Sequence, residues 1–278
     1  MKLHEYLKAY STALKNQGFR LLFFDAFAGT GDIQIGSEGL LLKGVDDYSP
    51  FIQGSAHRAL QLGIAFDEYI FVEKSRAKAK ALNALKDQYP SIADRISIRQ
   101  ADANDELLRF CAQTNWKKCR AAVFLDPYGN QVVWTTLEAI AATRAIDLWY
   151  LFPAGLGVHR QIGRNARVHP DHAASLDELL GTKDWRRSFI EEGDDEDLFG
   201  AIKARSKVAT PESITLFMIE RMRQIFKGGV LDEWLPLGSR GIHMYSLIFA
   251  WANPSERARL AGRLARAVLR SSRGGRSK

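Results

Sequence analysis

Hydrophobic residues in this chain recur with two different periods, and the switching between them predicts the fold. Leu3, Tyr6, Leu7, Tyr10 and Leu14 stand three and four apart, the stripe of an amphipathic helix over residues 1–16. Residues 19–24 (FRLLFF) then form an almost unbroken apolar run of strand length, as a strand buried on both faces requires. That run stops at Asp25 and a glycine-rich turn. The succession repeats: strand 68–73, helix 75–89, strand 95–100, helix 105–111, strand 121–126, helix 135–143 and strand 145–152. Strands separated by helices need crossover connections, so the pattern predicts an α/β fold with a parallel sheet.

Two stretches interrupt this rhythm. Residues 32–54 are rich in Gly and Asp where a crossover helix should begin, which predicts a long loop over the site and a helix starting only at Ser55, with Ser55 as N-cap. Residues 156–210 hold three histidines and an acidic run at 191–197 but no clear strand; they read as a largely helical insertion placed to act as a substrate lid. Beyond it come a helix over 214–226 and two β-rich runs, 229–237 and 242–251. The short link Gly238-Ser239-Arg240-Gly241 makes those runs an antiparallel hairpin. The expectation is therefore a single domain over 1–278, with seven strands in a mostly parallel sheet closed by a C-terminal hairpin.

Charge and composition refine the picture. The formal charge is +7 and the isoelectric point about 9.4. The whole excess lies from Trp251 onward, where Arg257, Arg259, Arg263, Arg266, Arg270, Arg273, Arg276 and Lys278 face one acid, Glu256. A basic helix and tail over 254–278 suits contact with nucleic acid, and equally a solvated face. No run approaches a membrane span or a secretion signal, which predicts a cytoplasmic protein with no membrane partner. Cys111 and Cys119 form no CxxC or Cys/His cluster, so neither a disulfide framework nor a metal site is expected.

The chemistry gathers at strand ends, where open α/β sheets bind their ligands. The turn Asp25-Ala26-Phe27-Ala28-Gly29-Thr30-Gly31 lets backbone amides approach a ligand closely. It lacks the Gly-Lys-Ser/Thr ending of a phosphate loop, and a dinucleotide fingerprint from Gly29 would need glycine where Gln34 stands. Glu73 ends the second strand and suits the two hydroxyls of a ribose. Asp102, followed by Ala103 and Asn104, suits an adenine amino group; a helix N-cap is the ordinary alternative for such an acid. A third acidic end favours S-adenosylmethionine over NAD. The fourth end, Asp126-Pro127-Tyr128-Gly129, combines an acid, a proline that halts ladder pairing and an aromatic face for a planar ring. Those three residues are the candidates for holding a flat amine toward a methyl sulfonium, with proximity and water exclusion driving the transfer.

Other residues carry open readings. Trp134 and Trp149 read as core. His159, His169 and His172 read as general-base candidates or exposed helix residues, and Arg160, Arg164 and Arg167 share one face of a helix that meets phosphate or solvent.

In this order and spacing, DAFAGTGD, GSAHRAL, FVEKS, QADAND, VFLDPYGNQVVWTTLEAI and DLWYLFPAG resemble the class I methyltransferases, and in particular the three-Cys-motif partner family, TcmP. The resemblance implies a Rossmann-like fold and S-adenosylmethionine held by Asp25, Phe27, Ala28, Gly29, Thr30, Gly31, Glu73, Lys74, Asp102, Ala103 and Asp126. It also implies a three-Cys-motif partner protein. The segment at Asp126 is similar to the DPPY motif of enzymes that methylate base amines, with one proline fewer, so that Tyr128 comes one position early. A nucleic-acid amine is the expected acceptor. The alternative is a non-catalytic binding module of the same fold, gripping a partner protein or nucleic acid.

Overall fold

A computed structural model describes residues 2–29, 55–163, 165–197, 200–239 and 241–273. The first helix, α1 (Lys2–Leu14), precedes strand β1 (Arg20–Asp25). Helix α2 (Ser55–Leu60) leads to β2 (Glu68–Val72), and α3 (Arg76–Leu82) and α4 (Ala84–Gln88) lead to β3 (Ile96–Arg99). Then come α5 (Ala103–Gln113), β4 (Cys119–Leu125), α6 (Trp134–Ala142) and β5 (Ile146–Phe152).

Beyond β5 a single π-helical turn, Ala154–His159, opens the insertion. It continues through α7 (Pro170–Leu180), α8 (Trp185–Phe189) and a ribbon of β6 (Ile190–Asp197) and β7 (Gly200–Lys207). The chain closes with α9 (Pro211–Ile225), β8 (Gly229–Val230), β9 (Leu235–Ser239), β10 (Ile242–Trp251) and α10 (Arg259–Arg273).

The main sheet runs β3-β2-β1-β4-β5-β10-β8, with β9 also on β10. Its first five strands are parallel and β10 is antiparallel to β5. Because β5 occupies one edge of β10 at residues 246–251, β8 and β9 must share the other edge, as two pieces of one interrupted strand. The sheet therefore has seven strand positions, and β9 and β10 form the expected hairpin.

Alternation along β1 explains the two-layered core. Leu22 and Phe24 point to the face covered by α5, α6 and α9, while Leu21 and Phe23 point to the face covered by α1, α2 and α10. All seven residues of β5 are buried, which accounts for a run that is apolar but for Asp147. Trp134 and Trp149 belong to this core.

The insertion departs from the expectation of a largely helical segment. Its acidic stretch, Ile190–Asp197, is a strand paired antiparallel with Gly200–Lys207, with Glu192 opposite Arg205 and their side chains 2.8 Å apart. Pairing between oppositely charged strands, absent from the periodicity of either, makes this ribbon. Nor do Arg160 and Arg167 share a helix face: Ala166 takes a positive φ of 55° and the amide of Gly163 donates to the carbonyl of Arg167, so a turn separates them. Arg164 and the expected loop over 32–54 lie outside the described residues. No described helix is long and apolar enough to cross a membrane.

Candidate active site at the carboxyl edge of the sheet

The strand order reverses between β1 and β4, and the candidate site lies at the carboxyl ends around that point. Asp25 ends β1 fully buried. One carboxylate oxygen accepts the Phe27 amide at 3.2 Å and the other accepts the Ser55 hydroxyl at 2.5 Å. Burial pushes its pKa up to about 6; the two hydrogen bonds work against that rise and the charge of Glu73 adds to it. What the Asp25 side chain touches is thus the turn itself.

The Ala26 amide donates to the Phe124 carbonyl of β4, and the Ala28 amide to the Val72 carbonyl of β2. The turn is pinned to both neighbouring strands. Gly29 follows with φ 62°, and a Cβ there would meet no described residue within 4 Å, which leaves room beside the backbone among those residues for a ligand. Phe27 is half-buried and Ala28 buried. Thr30 and Gly31 lie outside the described residues.

At the end of β2, Glu73 accepts the Ser75 amide at 2.7 Å through one oxygen. Its neighbour Lys74, largely exposed, bonds Asp102 at 3.1 Å across the ends of β2 and β3. Asp102 also N-caps α5 by accepting the Asn104 amide at 3.0 Å, the ordinary role for an acid at that place. Partial burial raises the Asp102 pKa, but Lys74 and the Asn104 amide outweigh it and hold the carboxyl below its usual range. Ala103 is buried in the first turn of that helix.

After β4, Asp126 is half-buried, Pro127 buried and Tyr128 64% exposed. The backbone beneath the exposed ring is fixed. The Tyr128 amide donates to the Gln131 side chain at 3.0 Å, and Gly129 turns the chain with φ 66°. Asn130 donates to Gln161 at 2.9 Å, reaching the start of the insertion.

The π turn walls this side of the site. A Cβ on Gly155 would lie 2.0 Å from the His243 backbone carbonyl, so only glycine permits that contact, and one on Gly157 would lie 2.2 Å from the Asn130 side chain, which would have to move. Single π turns recur at functional sites. The neck of the insertion is tied by Lys207, whose ammonium donates to the carbonyls of His159 and Ile162. His159 is half-buried, and desolvation together with Lys207 lowers its pKa. His243 joins Glu212 at 2.9 Å and Ser246 at 2.8 Å. His169 caps α7, with His172 exposed beside it.

The four predicted strand ends thus meet along one edge. The sequence reading missed three residues that shape it: Asn104, Gln131 and the Ser55 hydroxyl, which is directed at Asp25. Their signal was ambiguous, since Asn and Ser at helix starts read first as caps. A cavity of about 810 Å³ lies in the insertion, bounded by Trp185, Arg187, Ile190 and Arg205, and includes none of the strand-end residues. The convergence of acids, turn amides and an exposed ring, rather than cavity size, marks the candidate site.

No protein-family model and no curated protein matches the chain. Among solved structures it is similar to protein LPL1258 from Legionella pneumophila, with 14% identity, coverage of 97% of this chain and 89% of the other, and a TM-score of 0.50. Weaker likenesses include Trm1 from Pyrococcus horikoshii in complex with S-adenosyl-L-methionine (11% identity, 91% and 56% coverage, TM-score 0.39). Another is the methyltransferase domain of bacterial CtHen1 (12% identity, 90% and 99% coverage, TM-score 0.36). The mostly parallel sheet, with its antiparallel strand inserted beside β5, is the Rossmann-like fold of class I methyltransferases.

Proposed function

We propose that this protein is an S-adenosylmethionine-dependent methyltransferase acting on an amine of a nucleic acid, related to the three-Cys-motif partner family. The observation that carries the reading is the placement of Asp25, Glu73, Asp102 and Asp126 along one sheet edge, with Tyr128 exposed beside the last. The residues present fit such a cofactor. Among the described residues, Gly29 leaves space beside the turn amides and the second carboxylate oxygen of Glu73 has no hydrogen-bond partner. In this reading Phe27, Ala28, Gly29, Thr30 and Gly31 cradle the amino-acid portion, Glu73 takes the ribose, and Lys74, Asp102 and Ala103 border the adenine.

When bound, S-adenosylmethionine supplies an electrophilic methyl group. The chain orients the acceptor: the Asp126 carboxylate and the Pro127 carbonyl accept from the amine, and Tyr128 stacks on its ring. The basic face of α10 and a three-Cys-motif protein are the proposed partners.

Calorimetry with S-adenosylmethionine tests the cofactor. Wild type should bind, and Glu73→Ala should lose about tenfold to a hundredfold in affinity, the worth of hydrogen bonds to a charged group. No heat with wild type would sink the reading. Transfer of a labelled methyl group to purified RNA, DNA and protein then identifies the acceptor. Binding of cofactor with no transfer to any of them would make the chain a binding module of the same fold.

A further inference from the structure

We infer that Asn104 is a positioning residue that couples the cofactor edge of the site to the acceptor loop at Tyr128. The inference rests on the methyltransferase reading, and it comes from a continuous run of hydrogen bonds. The Asn104 amide donates to the Asp102 carboxylate at 3.0 Å. Its side chain then crosses to a loop 27 residues further on, where the nitrogen donates to the Gln131 carbonyl at 2.8 Å. The side-chain oxygen accepts the Val133 amide at 3.2 Å and the Thr136 hydroxyl at 2.9 Å. The Gln131 side chain completes the run by accepting the Tyr128 amide.

The orientation of this carboxamide is dictated chemically. A carbonyl only accepts and a backbone amide only donates, so the nitrogen must face Gln131 and the oxygen must face Val133. Thr136 is fully buried; from the first turn of α6 its hydroxyl donates to Asn104, and its backbone amide donates to the Val133 carbonyl. No other side chain of this size offers a donor and a double acceptor at those places. Aspartate would set a carboxylate against the Gln131 carbonyl and beside Asp102. On the far side, Asn130 ties the same loop to Gln161.

The acceptor loop is therefore gripped from the cofactor side by Asn104 and from the insertion side by Asn130. A ligand that engages Asp102 acts on the residue that Asn104 hangs from, so cofactor binding should firm the loop that presents Tyr128. Such coupling needs a connected physical path with differential contacts, which this network supplies.

Hydrogen–deuterium exchange of peptides covering residues 126–136, with and without saturating S-adenosylhomocysteine as probe, tests the coupling. In wild type the probe should slow exchange about tenfold, the scale of a typical coupling. Asn104→Ala should abolish the slowing while the affinity of the probe, read by calorimetry, changes less than about threefold. Gln131→Ala, which cuts only the last link, should lose the effect at Tyr128 and keep it at Val133; this arm stands even where Asn104→Ala fails to fold. A merely structural role would raise exchange equally with and without probe. Slowing that persists in Asn104→Ala, or probe binding to wild type without any slowing, overturns the inference alone. Absence of probe binding to wild type overturns the methyltransferase reading and the coupling with it.

Discussion

The Ser55 hydroxyl lies 2.5 Å from the Asp25 carboxylate, joining the start of α2 to the end of β1 inside the core. The bond favours the ionised acid against a burial that disfavours it. Ser55→Ala should therefore destabilise the protein by about 1.5–3 kcal/mol at pH 8, the worth of a buried hydrogen bond to a charge. The loss should shrink at pH 5, below the Asp25 pKa of about 6, where the carboxyl holds a proton. Urea denaturation at the two pH values reads the difference, and an equal loss at both would refute the charge-assisted account.

A second buried acid lies at the opposite edge of the sheet. Asp147 accepts the Tyr6 hydroxyl at 2.7 Å, and burial pushes its pKa up to about 7 although that bond and the charge of Arg120 both work downward. In the unfolded chain the carboxyl loses its proton near pH 4, while the native state keeps it until about pH 7. This group's contribution to stability thus falls as pH rises through that window. Asp147→Asn should remove the effect, gaining on the order of 2 kcal/mol at pH 8 and little at pH 4. Melting temperatures of the two proteins across that range should converge toward acid.

Tyr128 should separate function from stability. Its ring is exposed, so Tyr128→Ala should change stability by no more than about 0.5 kcal/mol. Methyl transfer to a nucleic-acid acceptor should fall about tenfold to a hundredfold, the value of a lost stacking face. Tyr128→Phe should retain most of the rate. An alanine variant with full activity would remove the ring from the acceptor site.

Two glycines of like conformation should respond differently. Gly129 and Gly181 have φ of 66° and 63°. Among the described residues a Cβ meets nothing within 4 Å at Gly129, but at Gly181 it would fall 2.1 Å from the Trp134 ring. Gly129→Ala should cost only the left-handed strain, about 1–2 kcal/mol. Gly181→Ala should cost about 3 kcal/mol or more, because Trp134 is also held by Arg221, 4.6 Å from its ring. Chemical denaturation of both variants gives the comparison.

The sheet was legible in the sequence because its strands are buried on both faces, and the β5 run from Ile146 to Phe152 could hardly be read otherwise. The acids after β1, β2 and β4 were legible for the same reason, since each stops an apolar run, whereas Asp102 follows the half-polar stretch Ile96–Arg99. The ribbon in the insertion was not, since it arises from charges meeting across two strands, as Glu192 meets Arg205. The turn at Ala166 was hidden because nothing about alanine announces a positive φ. Asn104 stayed hidden because its partners lie 27 to 32 residues away, and only the fold brings them into reach.

The place of β10 bears on how the protein is made. This strand is the last of the sheet to be synthesised, yet it sits between β5 and the interrupted edge of β8 and β9. Until it emerges, β5, apolar but for Asp147, offers an open backbone edge, a template for pairing with other chains. Helix α1 in turn packs on α10 and bonds a residue 141 positions away, so it waits for neighbours that follow it far along the chain. Nascent or truncated chains should therefore be the aggregation-prone form of this protein, and its folding should be slow and late.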